Sequence, residues 1–111
     1  ARDVPGSQRR IARLGAADFL EKKLSDPLAA LEELEAIEAL GMADRALFER
    51  MADLAERGGR IDRAVQALGK AAAAAREPAH RAACERRAAR LLDERLGDEE
   101  QAAAAYERAL V

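Results

Sequence analysis

Apolar residues along this chain recur at intervals of three and four instead of alternating, and that period gathers them on one side of an α-helix. The clearest case is Leu47, Phe48, Met51, Leu54 and Ala55, which predicts a helix from about Ala43 to Arg57. Helix breakers divide the rest. Pro5-Gly6 cannot continue a helix, so residues 1–6 read as a lead-in and Ser7 as the N-cap of a first helix reaching about Leu24. Asp26 caps the second, with Pro27 at its first position, and Gly41 supplies the left-handed residue that closes it near Leu40. Gly58-Gly59 stop the third. The fourth runs from about Ile61 through Ala71–Ala75 until Pro78, which also opens a fifth helix ending at Leu96 before Gly97. The sixth starts at Asp98, with Glu99 and Glu100 placed favourably in its first turn, and runs to the end. No run favours a strand, since threonine, asparagine and tryptophan are absent and valine and isoleucine are few.

A short pattern occurs three times in this frame. A helix-breaking pair is followed five residues on by alanine and nine residues on by a large apolar or aromatic residue: Ser25-Asp26 with Ala30 and Leu34, Gly59-Arg60 with Ala64 and Leu68, Gly97-Asp98 with Ala102 and Tyr106. The flanks of the first and third instances agree by class, Phe19 to Asp26 against Leu91 to Asp98. Residues four apart on a helix stack one above the other, so the alanine lets a paired helix approach and the larger residue fills the gap. This register places Ala64 and Ala102 in tight contacts and buries Leu34, Leu68 and Tyr106. The periods are 34 and 38 residues, and the four extra residues of the second are assigned to the fourth helix.

These residues resemble the tetratricopeptide repeat family, whose unit is a pair of antiparallel helices with small and large apolar residues at fixed offsets. Gly59, Ala64, Leu68 and Ala71 match its second-helix pattern, as do Gly97, Ala102, Tyr106 and Ala109, and Ser25, Ala30, Leu34 and Ile37. Among first helices, Phe48, Met51 and Ala52 fit, whereas Leu14-Ala17-Asp18 and Arg86-Ala89-Arg90 depart. The resemblance implies an all-α fold of three antiparallel helical hairpins stacked as a short right-handed solenoid. Residues 7–111 then form one repeat domain, with units at about 7–41, 42–77 and 78–111. It also implies a concave surface lined by first helices, which would expose Lys22, Lys23, Glu49, Asp53, Arg87, Glu94 and Arg95 as partner-binding residues. That set has mixed sign and lacks asparagine, so it suits a protein or peptide segment with mixed charges better than a terminal carboxylate.

Charge and cysteine content narrow the classes further. Nineteen basic and twenty-one acidic residues are intermixed, for a net charge of −2, which disfavours nucleic acid and anionic membranes as partners. The single cysteine, Cys84, cannot form an internal disulfide, and no apolar stretch has signal or transmembrane length, so the expectation is a cytoplasmic protein. Chemical candidates are sparse. His80 and Cys84 stand four apart on the fifth helix, but a zinc site needs two further ligands and the chain has no other histidine or cysteine; no metal and no cofactor are expected. Arg81, Arg86, Arg87 and Arg90 make that helix basic, yet single-stranded nucleic acid is usually met by aromatic platforms and only Phe19, Phe48 and Tyr106 exist. Glu32, Glu33, Glu35 and Glu38 read as a solvated face of the second helix. With no nucleophile triad, phosphate loop or zincin pattern, an enzyme is not expected.

The sequence therefore predicts a non-catalytic scaffold that binds a protein or peptide in a groove on the first-helix side. A structural spacer from a longer solenoid, or a nucleic-acid binder using the fifth helix, are the alternatives. Apolar residues of the sixth helix, Ala102, Ala105, Tyr106, Ala109 and Leu110, would be unshielded if the chain is cut from a longer array, and self-association through that end is the expected remedy.

Overall fold

A computed structural model describes residues 4–111, and residues 1–3 of the expected lead-in lie outside it. The described residues form six α-helices and no strand: α1 Gly6–Lys22, α2 Pro27–Ala39, α3 Arg45–Arg57, α4 Ile61–Ala74, α5 Pro78–Glu94 and α6 Glu99–Leu110. Two compact units result. One comprises residues 1–43, in which α1 packs against α2; the other comprises residues 44–111, in which α3 packs on α4, α4 on α5, and α5 on α6.

The helix ends follow from local chemistry. Asp26, Asp44 and Asp98 each accept a backbone N–H three residues on, at 3.0, 2.8 and 3.0 Å, so three of the orphan donors at helix starts are satisfied. The Asp44 cap moves the start of α3 to Arg45, two residues after the expected Ala43. At the chain start the expectation fails. The helix begins at Gly6 without a side-chain cap, and Ser7 lies inside it, because the Pro5 carbonyl accepts from both Gln8 and Arg9 at 3.0 and 3.1 Å. Gly6 also lies against Met42, whose sulfur would stand 3.1 Å from an added Cβ.

The three turns that carry the repeat are alike in backbone. Ser25, Gly59 and Gly97 have φ of 50°, 79° and 65°, and each is followed by a cap residue near φ −100° and ψ 80°, at Asp26, Arg60 and Asp98. The first and third agree bond for bond. Leu24 N–H donates to Phe19 and Asp26 N–H to Leu20, while Leu96 donates to Leu91 and Asp98 to Leu92. The sequence match between these segments is therefore a match of chain paths. The four extra residues of the second period are not in α4, as expected, but in α5, which has 17 residues where α3 has 13. Pro78, at the first position of α5, starts that helix close behind α4 and leaves room for the added turn.

In all three instances the small position is closed. Ala30 and Ala64 are fully buried and Ala102 nearly so. In residues 1–43 the core is Ala17, Ala30, Leu31, Leu34 and Ile37. In residues 44–111, Ala89, Leu92, Ala102 and Ala105 cluster between α5 and α6 with Val65 against them, while Ala71, Ala72 and Cys84 join α4 to α5 with Phe48. The large position behaves differently at its third occurrence. Leu34 and Leu68 are buried, but Tyr106 is 45% exposed, contrary to expectation. Leu68 lies on α4, which has α5 packed on it, whereas α6 packs chiefly on α5 and leaves its outer side in solvent.

Ala64→Leu or Ala102→Leu should overpack these contacts and cost about 1 to 3 kcal/mol in denaturant unfolding. Gly69 is the opposite case: it is exposed within α4, and nothing lies within 4 Å of an added Cβ. Gly69→Ala should stabilise by about 0.4 to 1 kcal/mol, mainly by restricting the unfolded chain.

Candidate functional site

One side of α3 presents Arg45, Glu49, Asp53 and Glu56 at spacings of four, four and three, so the four side chains form a single row. α5 faces that row with Cys84 and Arg87. Arg45 Nη1 donates to Glu49 Oε2 at 2.8 Å, and the Cys84 thiol donates to Glu49 Oε1 at 3.4 Å. Arg87 Nη2 reaches two carboxylates at once, Asp53 at 2.6 Å and Glu56 at 2.9 Å. Burial works to lower the Arg87 pKa, but the hydrogen bonds to Glu56 and Asp53 outweigh it and raise the pKa above its ordinary value. The guanidinium is thus a fixed positive charge between two acids.

Beside this row lies a shallow groove of about 270 Å³, lined by Ala83, Arg86, Arg87, Arg90 and Tyr106. Arg86 and Arg90 are four apart on α5 and both are exposed. The surface therefore passes from an acidic strip on α3, through Arg87, to two arginines and a half-exposed aromatic ring. A second groove of about 300 Å³, wholly within residues 1–43, is lined by Arg9, Ala12, Arg13, Ala36 and Leu40. Arg13 is held there by Glu33 at 2.9 Å.

Of the seven residues expected to line a binding face, the structure brings Glu49, Asp53 and Arg87 into one network. Glu94 and Arg95 lie exposed at the far end of α5, while Lys22 closes α1 and Lys23 caps it, both exposed. Arg45 and Glu56 were missed. The four-residue spacing of Arg45 and Glu49 could have flagged the first, but the reach of Arg87 to Glu56 depends on how α3 and α5 face each other. Tyr106, expected in the core, instead forms a wall of the groove.

The fifth helix is less basic than its sequence suggests. The charge of Arg87 is balanced by Asp53 and Glu56, Arg81 donates to the Val111 carbonyl at 3.3 Å, and Glu85 holds Arg108 at 2.9 Å from a nearly enclosed position. His80 stays in solvent, 4.0 Å from Glu77, while Cys84 is buried. Among the described residues no three histidine, cysteine or acidic side chains converge as metal ligands. Burial first, then the hydrogen bond and negative charge of Glu49, push the Cys84 thiol up to about 11. No described helix is long and apolar enough to cross a membrane. The chain matches no family model, no curated protein and no solved structure.

Three outcomes test this geometry. The raised thiol pKa favours the folded state below the ordinary value of 9.0, and that contribution is lost as pH climbs through about 11. Below that window the native thiol should resist a disulfide reagent, and Glu49→Gln should bring its reaction midpoint to lower pH; an unchanged midpoint would show that Glu49 does not act on it. Arg108→Ala should cost about 1 to 3 kcal/mol by stranding the enclosed Glu85 carboxylate. Loss of the Arg13 to Glu33 pair, whose carboxylate is more exposed than that of Glu85, should cost less than about 1 kcal/mol.

Proposed function

We propose that this chain is a non-catalytic protein-binding module, a helical-repeat unit of the tetratricopeptide kind, whose ligand is a peptide or protein segment of mixed charge. The recurring turns and the closed alanine positions support the repeat reading. One observation carries the functional reading: α3 and α5 set a row of carboxylates beside an open groove that has two arginines and a tyrosine. A segment crossing this face would place a basic side chain on the Glu49, Asp53 and Glu56 strip. It would direct an acidic group to Arg86 and Arg90, with an apolar side chain against Tyr106. The internal ion pairs are partly exposed, so exchanging them for pairs with a ligand costs little and selects by pattern.

Nucleic acid fits less well. Of the four arginines on α5, Arg87 is committed to two acids and Arg81 to a backbone carbonyl, and the adjoining acidic strip would repel a phosphate backbone.

Selection from a displayed library of random peptides tests the proposal. The parent should enrich sequences that combine basic, acidic and apolar residues, and Arg86→Glu with Arg90→Glu should abolish the acidic preference. Peptides that bind the variant as well as the parent would place the site elsewhere. A parent that selects nothing, or that binds single-stranded oligonucleotides with a steep loss on adding salt, would replace the peptide reading with the spacer or the nucleic-acid one.

A further inference from the structure

α6 carries two apolar stripes. Ala102 and Ala105 are spent on α5, but Ala103, Tyr106 and Leu110 form a second stripe, spaced three and four apart, that faces solvent with Leu110 87% exposed. Counted from the shared turn at Gly59 and Gly97, these three correspond to Val65, Leu68 and Ala72 of α4. On α4 that stripe is filled. Leu68 and Ala72 are 1% and 3% exposed, and Ala72 clusters with Cys84 of α5. On α5, Cys84 meets that stripe, and Ala88 and Leu91, four and seven residues on, share its side of the helix; all three are buried.

The matching turns at Ser25 and Gly97 carry the same comparison to α1. There the counterparts of Cys84, Ala88 and Leu91 are Ala12, Ala16 and Phe19. Phe19 is 56% exposed, Ala12 is exposed and Ala16 is half-buried, and Ile11 and Gly15 extend the open patch beside them. One chain thus holds both halves of a junction like that between α4 and α5, and both halves are open.

We propose that α6 of one copy packs on α1 of the next, repeating the junction between α4 and α5 in a head-to-tail association of identical chains. Charge fits this occupant. Helices joined as closely as α4 and α5 run antiparallel, so the start of one lies by the end of the other. The same arrangement sets Glu99 and Glu100, exposed at the start of α6, beside Lys22 and Lys23, exposed at the end of α1. Two unlike surfaces join, so a copy seated through its α6 still offers its own α1 to an α6 of another copy. It rests on the open α6 face and shares Tyr106 with the peptide groove but neither Arg86 nor Arg90, so variants at Phe19, Ala103 and Leu110 test it apart from the peptide reading.

Sedimentation of the 111-residue chain at rising concentration tests it. The parent should self-associate as concentration rises. Phe19→Glu, and separately Ala103→Glu with Leu110→Glu, should each remain monomeric with native helix content, since all three sites are exposed. An equimolar mixture of the two variants should form a heterodimer and stop there, because it retains one intact α6 and one intact α1. Lys22→Glu with Lys23→Glu should weaken parent association, and adding Glu99→Lys with Glu100→Lys should restore it. A parent that stays monomeric, a Phe19→Glu variant that still dimerises through α6 alone, or charge reversal without rescue would overturn the proposal.

Discussion

Close approach of helix pairs at alanine is the constraint on which the rest of this structure depends. Each of the three turns ends in a left-handed residue and a cap, and five residues past that left-handed residue an alanine is enclosed by its surroundings. Alanine gives up almost no side-chain entropy on burial and is the best helix former, so a chain this rich in it can close helix pairs without large side chains. The cost is a thin core. Few bulky residues are fully enclosed, chiefly Leu31, Leu34, Ile37, Leu54 and Leu68, so small errors in helix spacing have little slack to absorb them.

Polar contacts then determine what the helices display. Arg87 bridges two carboxylates on α3, and Glu49 collects both a guanidinium and a thiol. Exposed pairs of this type add little stability, because solvent screens them and long side chains lose freedom. Their effect is on pattern. They cancel much of the charge on α5 and leave Arg86, Arg90 and Tyr106 as the part of that face with unmatched character. The enclosed Glu85 differs, since its side chain is largely withdrawn from solvent and its carboxylate depends on Arg108.

Helix number, most boundaries and the pairing of helices were legible in the sequence because they rest on strong local signals: caps, prolines at first positions, glycines in turns and a three-to-four period. Ser7 misled because a serine after Pro-Gly looks like a cap, while the Pro5 carbonyl had already taken the first donors. The extra turn of α5 was misplaced because an alanine run reads as helix wherever the chain chooses to end it. Tyr106 misled for a different reason. Its offset from the turn fixes which side of α6 it occupies, but whether that side is covered depends on a neighbouring helix, and offsets carry no such information. Glu49, Asp53 and Arg87 were expected as separate residues of a binding face; their joining with Arg45 and Glu56 in one network depends on the facing of α3 and α5 and was not legible.

The shared register of turn and alanine is most directly tested by nuclear Overhauser contacts in alanine-methyl-labelled protein. The Ala89 methyl should show cross-peaks to those of Ala102 and Ala105, and the Phe48 ring should show them to Ala71 or Ala72, as the packing between α5 and α6 and around Cys84 requires. Cross-peaks confined to neighbours within each helix, with the Ala102 methyl open to solvent, would contradict the register and the hairpins built on it.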